Sequence, residues 1–320
     1  RTALRMSTSP EPSSSAAAAP AVAWLGAGNM GIGMVQRWRG LARAAWVCDI
    51  DPARQQQARA LGATVEGAPA SLVSAARAGA ANGSVLLMVV VVTAEQVRDV
   101  LWGEHGAATA LQPQDTVVLC PTIAPEDTEH MAQTLQSAGI GVIDAPMSGG
   151  PQRAAQGTMS LMAAADPNTW QRHQPTLACL ANPLFYVGAR IGDGARTKLV
   201  NNLLAGVQLA AAAEALAWAE DAGLDPLRTL EVIEQSSGQS WIGSHRIRRA
   251  LAGDTEVQAH MSLLTKDTRL AVAAAEQAKR QVPLGQMARD RFAQACNDGL
   301  QGQDDSAMLA WCRQHLRQKP

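Results

Sequence analysis

Ala-Val-Ala-Trp-Leu-Gly-Ala-Gly-Asn-Met-Gly-Ile-Gly, residues 21–33, is the stretch that decides how this chain is read. An apolar run leads straight into Gly26, Gly28 and Gly31, which stand at the spacing Gly-x-Gly-x-x-Gly. The order strand, glycine turn, helix gives each glycine a task. Gly26 makes the tight turn, Gly28 lets the backbone approach a pyrophosphate, and Gly31 lets the helix pack against the strand. A helix that starts at such a turn offers free N–H groups and the positive end of its dipole to the phosphates. Asn29 and Met30 lie inside the same turn. The spacing alone is a weak signal; its place after a strand and at the head of an alternating domain is what strengthens it.

That alternation follows. The runs Val22–Leu25, Ala45–Cys48, Val85–Val92, Thr116–Leu119 and Val142–Ile143 are nearly all apolar, as strands buried on both faces of a parallel sheet should be. Pro52–Leu61 and Pro125–Ala138 have helical composition and open on a proline, which a first helical turn tolerates. The pattern predicts an α/β fold with a doubly wound parallel sheet of Rossmann type over residues 21–190. After Gly188 the strand signals stop. Ala195–Ala222, Pro226–Gln235, Met261–Gln281 and Gly285–Asp298 read as helices, broken at Gly223, Gly238 and Pro283. Residues 191–320 are therefore expected to form an all-helical domain, with the Ala-rich segment 203–219 as a central helix packed closely on several sides. Residues 1–20, rich in Ser, Pro and Ala, are expected to be a disordered leader. The chain opens at Arg1, with Met6 a candidate start, and the segment fits a transit peptide only loosely.

Composition sets the outer limits. At roughly 150 residues per domain, 320 residues suggest two domains. Lys plus Arg number 27 against 28 Asp plus Glu, so the near-zero charge argues against nucleic acid or an anionic membrane as the main partner. The uncharged aliphatic run Val85–Val92 is far short of the ~20 residues a membrane helix needs, and residues 203–219 carry Gln208 and Glu214. Cys48, Cys120, Cys179, Cys296 and Cys312 show no CxxC and no zinc-like spacing. They read as small buried hydrophobes, reduced in a compartment such as the cytoplasm, and no metal site is expected.

Three further clusters carry chemistry. Asp49 ends the second strand run, where an acid accepts hydrogen bonds from the adenosine ribose and repels the extra phosphate of NADP. NAD is therefore the expected cofactor, with Arg54 softening the preference and leaving NADP open. Asp51 reads as a helix cap before Pro52. In Asp144–Met162, the turn Ser148-Gly149-Gly150 presents N–H groups and a hydroxyl suited to a small carboxylate. In Gly192–Asn202, Lys198 and Asn202 are four apart and share a helix face. Drawn into an apolar site, Lys198 would have its pKa lowered into the range of general acid–base catalysis.

In this order the pieces resemble the β-hydroxyacid dehydrogenase family, which acts on 3-hydroxyisobutyrate, tartronate semialdehyde, threonate and, more distantly, 6-phosphogluconate. The resemblance covers about Ala21 to Ala310. It is carried by Gly-Ala-Gly-Asn-Met-Gly (26–31), Asp-Ala-Pro-Met-Ser-Gly-Gly (144–150), Gly-Thr-Met (157–159), Lys-Leu-Val-Asn-Asn (198–202) and Lys-Asp (266–267). It implies an NAD-dependent oxidoreductase moving a hydride between the nicotinamide and the hydroxyl carbon of a small β-hydroxy carboxylate or its semialdehyde. By the same resemblance Lys198 is the acid–base lysine, and Asn202 holds the substrate oxygen and the lysine in register. Ser148, Gly149 and Gly150 bind the carboxylate, Thr122 sits by the nicotinamide, and Lys266 closes over the cofactor. Val91 and Val92, where many relatives have Leu-Pro, line the cofactor cleft. A homodimer or homotetramer formed through the helical domain is implied as well.

Departures from the pattern also count. Pro121 stands where relatives often have Ser or Thr, and no phosphate clamp for 6-phosphogluconate is evident. The basic cluster His245, Arg246, Arg248 and Arg249 reads as a solvated helix face or subunit contact, with contact to an anionic substrate as the alternative. Trp241 reads either as a pocket wall or as a core residue. Against the leading reading stand a carbonyl or imine reductase of the same fold, and a catalytically silent cofactor-binding sensor. Lys198 argues against both.

Overall fold

The computed structural model describes residues 19–316. Of the expected leader, residues 1–18 lie outside these. In chain order the elements are β1 (Ala21–Leu25), α1 (Asn29–Gly40), β2 (Trp46–Cys48), α2 (Pro52–Ala60), β3 (Thr64–Glu66), α3 (Pro69–Ala78), β4 (Val85–Val89), α4 (Ala94–Trp102), β5 (Thr116–Leu119), α5 (Pro125–Ser137), β6 (Gly141–Asp144), β7 (Met147–Ser148), α6 (Gly150–Gln156), β8 (Ser160–Ala164), α7 (Pro167–Leu177) and β9 (Leu184–Gly188). The helical part follows: α8 (Asp193–Asp221), α9 (Pro226–Glu234), α10 (Trp241–Leu251), α11 (Met261–Gln277), α12 (Pro283–Ala295) and α13 (Met308–His315).

The strands form one sheet in the order β3-β2-β1-β4-β5-β6-β8-β7, with β9 added to β8. From β3 to β6 all pairs are parallel, but β6 and β7 each meet β8 antiparallel. The expected doubly wound parallel sheet is thus present from β3 to β6, with antiparallel pairing added at one end. β3 and β7 are too short to show alternation, and β8 is an apolar run that periodicity cannot tell from a helix segment. Along β1 the residues alternate between two cores. Val22 and Trp24 pack with Met34, Trp38 and Met88 on one face; Ala21, Ala23 and Leu25 pack with Leu72, Leu87 and Val97 on the other. Both faces are covered by helices, which is why the strands read as continuous apolar runs.

Strand order reverses between β1 and β4, and an open sheet binds ligands in the crevice beyond its strand ends at such a point. β4 stops at Val89, three residues before the expected end, because Val90–Val92 leave the sheet to line this crevice. Cys120–Thr122 after β5 and Met147–Gly150 after β6 line the same crevice.

The second domain is built on α8, against which α10, α11, α12 and α13 pack. By length and composition α8 is apolar enough to cross a membrane, although here it is the shared packing element of this domain. It is packed on several sides, as expected, and one stripe stays open: Val200, Leu204 and Trp218 are 70%, 57% and 74% exposed. The helices do separate before Pro283, between Gln277 and Pro283, and Pro283 itself opens α12 at its first turn, where its missing N–H costs nothing. Asp144 joins the two parts. Its buried carboxylate, at the end of β6, accepts from the N–H groups of Gly192 (2.9 Å) and Ala195 (3.0 Å), at the start of α8. Burial pushes Asp144 up to about 6 against the pull of these donors.

Candidate active site

A cavity of about 610 Å³ lies where the ends of β1, β4 and β5 face α8, α10 and α11. Gly28, Asn29, Met30, Val91, Val92, Thr122, Ser148, Gly149, Gly150, Lys198, Asn202 and Lys266 all line it, so one space collects residues up to 238 positions apart. Gly26, Gly31 and Asp49 do not line it.

The glycine turn fits a dinucleotide for reasons of space. A Cβ on Gly26, at φ +97°, would lie 2.6 Å from the Val90 carbonyl oxygen. On Gly31 it would lie 2.3 Å from the Gly26 carbonyl oxygen. On Gly28 it would meet nothing within 4 Å, because that position faces the open cavity at the N-terminus of α1. Two glycines are thus demanded by packing and one is left clear for a ligand, as close backbone approach to a pyrophosphate requires. Asp49 supports the turn: Oδ2 accepts from the Ala27 N–H (2.6 Å) and Oδ1 from the Asp51 N–H (2.8 Å). Asp51 caps α2 through the Ala53 N–H (2.8 Å), as expected. Arg54 lines the cavity and donates to Asn29 Oδ1 (2.7 Å).

Lys198 lies in the second turn of α8, facing inward with Asn202, each only 7% exposed. Burial lowers the lysine from 10.5 to about 8; Asp267 opposes this and Lys266 reinforces it. The network beside it centres on Asp267 of α11. Its Oδ2 accepts from Asn202 Nδ2 (2.6 Å), and its Oδ1 lies 3.0 Å from Lys266 Nζ. Lys266 Nζ also donates to the carbonyls of Thr122 and, at 3.5 Å, Val92. A side chain from the helical domain thereby bridges two loops at the sheet's ends. Gly149 and Gly150, at φ +131° and +79°, turn the chain after Ser148 in a conformation that side chains rarely adopt.

Several lining residues escaped the reading of the sequence. Asp267 was legible as the partner of Lys266 in the Lys-Asp pair but received no role. Gln258, His260 and Asp305 also line the cavity, brought together by the fold alone, beside Arg246, for which contact with the substrate stood as the alternative reading. For Arg246 and Arg249 the solvated-face expectation is corrected, since both are buried and face Asp305 and Asp304 across the domain. Arg248 alone of these arginines is exposed, paired with Glu234. Trp241 proves to be a pocket wall, 53% exposed and stacked on His245. The five cysteines are all free, with Cys48, Cys120 and Cys312 buried.

The NAD binding domain of 6-phosphogluconate dehydrogenase matches residues 21–188, more than half of the chain. The NAD-binding domain of NADP-dependent 3-hydroxyisobutyrate dehydrogenase matches residues 192–312. This chain belongs to the β-hydroxyacid dehydrogenase family. It is an NAD(P)-dependent oxidoreductase of that family, in the neighbourhood of its threonate and 3-hydroxyisobutyrate enzymes. It is 34% identical to the L-threonate dehydrogenase of Cupriavidus necator over 288 residues, 89% of this chain and 93% of the relative. It is 29% identical to the 3-hydroxyisobutyrate dehydrogenase of Pseudomonas aeruginosa over 282 residues, 85% and 90% of the two chains. Among solved structures it resembles a 3-hydroxyisobutyrate dehydrogenase from Salmonella typhimurium, with TM-score 0.81, 29% identity, and coverage of 91% of this chain and 99% of that one. The Mycobacterium tuberculosis 3-hydroxyisobutyrate dehydrogenase with L-serine is similar at TM-score 0.79 and 27% identity, covering 92% and 99%.

Proposed function

We propose that this β-hydroxyacid dehydrogenase oxidises, or in reverse forms, the hydroxyl carbon of a small β-hydroxy carboxylate such as threonate or 3-hydroxyisobutyrate, with Lys198 as general acid and base and NAD as the favoured cofactor. The observation that carries this is the buried lysine itself. Its pKa of about 8 puts a neutral amine within reach of working pH, in the same cavity as the glycine turn and the Ser148-Gly149-Gly150 turn. A group so poised accepts a proton in one direction and returns it in the other.

The dinucleotide supplies the hydride acceptor or donor when bound, cradled at Gly28, Asn29 and Met30. The rest falls to the chain. Ser148, Gly149 and Gly150 hold the substrate carboxylate through a hydroxyl and N–H groups. Asn202, oriented by Asp267, donates to the reacting oxygen. Lys198 Nζ takes the hydroxyl proton as the carbonyl forms. Val91, Val92 and Thr122 bound the nicotinamide side, and Lys266 fastens that wall to the helical domain. Holding the reactants aligned in a space walled off by α8 and α11 supplies much of the catalysis. Asp49 selects NAD by receiving the ribose hydroxyls and repelling a ribose phosphate.

Two broader assignments accompany this reading. The free cysteines support a cytoplasmic enzyme. The exposed apolar stripe of α8 supports a homo-oligomer, a dimer or tetramer, assembled through the helical domain. In the second case Trp218→Lys should lower the mass measured by light scattering; an unchanged mass would remove α8 from the interface.

The deciding experiment follows NADH and NADPH against small semialdehydes, and NAD and NADP against the matching hydroxy acids. Turnover of a panel member that is lost in Lys198→Ala is the expected result. Absence of turnover on the whole panel, with NADH still bound, would overturn the substrate class.

A further inference from the structure

The cavity has a second polar wall that the proposed chemistry does not use. It is made by Arg246 of α10, Asp305 of the turn before α13, and Gln258 and His260 of the segment joining α10 to α11. The Arg246 and Asp305 side chains are only 9% and 4% exposed and approach to 2.5 Å. Arg246 Nε and Asp305 Oδ1 face each other and are themselves shut off from the cavity, so what the two residues present to it is their other atoms.

The wall is also held firmly from behind. Arg249 Nη1 donates to Asp304 Oδ1 (2.9 Å), and Asp304 Oδ2 accepts from the N–H groups of Gln258 (2.8 Å) and Ala259 (3.1 Å). Arg246 Nη1 reaches Gln258 Oε1 (3.4 Å) and His245 Nδ1 (3.0 Å). The side chains that face the cavity are therefore preset rather than loose, which is what selective recognition needs.

Charge decides what such a wall would select. Arg246 and Asp305 nearly cancel, so a second carboxylate on the substrate would meet Asp305 as well as Arg246. A methyl group would cover the pair and return no hydrogen bond. A hydroxyl can donate to Asp305 or Gln258 Oε1 and accept from Arg246. We propose that Arg246, balanced by Asp305, is a specificity residue that selects substrates with a hydroxylated, uncharged chain, the short polyhydroxy acids, over methyl-branched or dicarboxylic ones. This rests on the reading of the cavity as a hydroxy-acid site and names the kind of acid it takes.

The test compares L-threonate, 3-hydroxyisobutyrate and 2-(hydroxymethyl)glutarate in alkaline buffer, where Asp305 is ionised. The proteins are the wild type, Arg246→Met, Arg246→Lys and the double variant Arg246→Met/Asp305→Leu, which leaves no unpaired buried charge if the single change fails to fold. Wild type should favour L-threonate in kcat/KM over both other acids. The ratio of kcat/KM for L-threonate to that for 3-hydroxyisobutyrate should fall about 10- to 100-fold in Arg246→Met and in the double variant, the usual range for a hydrogen bond to a charged group. Arg246→Lys should recover part of it. An equal fall on all three acids, or a wild type that prefers the methyl or dicarboxylic acid, overturns the proposal while leaving the hydroxy-acid reading intact. If no acid is turned over in a Lys198-dependent way, the parent reading fails, and calorimetric titration of L-threonate into the protein with NADH decides. Binding weakened selectively by Arg246→Met sustains the role of Arg246; no binding of L-threonate overturns it too.

Discussion

Replacing Lys198 with Met should remove activity and raise stability together. In the native fold this lysine is buried, and its pKa drops from 10.5 to about 8 because burial penalises the ammonium. That drop corresponds to about 3 kcal/mol at 1.36 kcal/mol per pKa unit. The sign follows from proton binding. Below about pH 8 the lysine is charged in both folded and unfolded chains, and folding bears the whole penalty. Between about 8 and 10.5 the folded lysine releases its proton while the unfolded one keeps it, so stability contributed at this site rises with pH. Met fills a similar volume without a charge, and Asp267 keeps Lys266 and Asn202 as partners. Urea unfolding of the cofactor-free protein at pH 7 should therefore show Lys198→Met more stable by up to about 3 kcal/mol, with the gain shrinking toward pH 10. Turnover should fall by about 10²–10⁴. In the wild type, kcat/KM for hydroxy-acid oxidation should rise with pH through a step near 8, as the amine becomes a base. A variant no more stable than wild type, or a stability difference flat from pH 7 to 10, would show that the lysine is not desolvated as argued.

Asp49→Asn should move the NAD-to-NADP ratio of kcat/KM toward NADP by about tenfold, read by initial rates with both cofactors, from loss of charge repulsion and of one strong acceptor. Gly26→Ala should lower the melting temperature sharply, since its Cβ would lie 2.6 Å from the Val90 carbonyl oxygen at positive φ. Gly28→Ala, with nothing within 4 Å, should leave melting of the cofactor-free protein nearly as it is and weaken NADH binding in a fluorescence titration. Asp144→Ala should destabilise the protein by about 2–4 kcal/mol, because two buried N–H groups at the start of α8 lose their acceptor. It should also lower kcat more than it raises KM, since Lys198 rides on that helix.

The glycine turn was legible because its requirement is local: three glycines and a strand suffice to state where a side chain would collide. The apolar runs of β1, β4 and β5 were legible for a similar reason, being buried on both faces. The ends of the sheet were not. β7 is two residues long, and β8 pairs antiparallel with a strand whose identity depends on the chain doubling back. In the same way Asp267 was visible beside Lys266, yet its role needed Asn202, 65 residues away, to arrive within 2.6 Å.

By itself the sequence determined the β/α order, the cradle at Gly26–Gly31, and the helix face shared by Lys198 and Asn202, since each follows from spacing along one element. Tertiary structure alone decided that Lys198 is desolvated enough to titrate near 8. It alone decided that Lys266 reaches the Thr122 carbonyl, and that Arg246 and Asp305 meet on a cavity wall. Spacing reports which side chains share a face. Burial, and the charge that arrives from a distant segment, exist only once the faces are packed together.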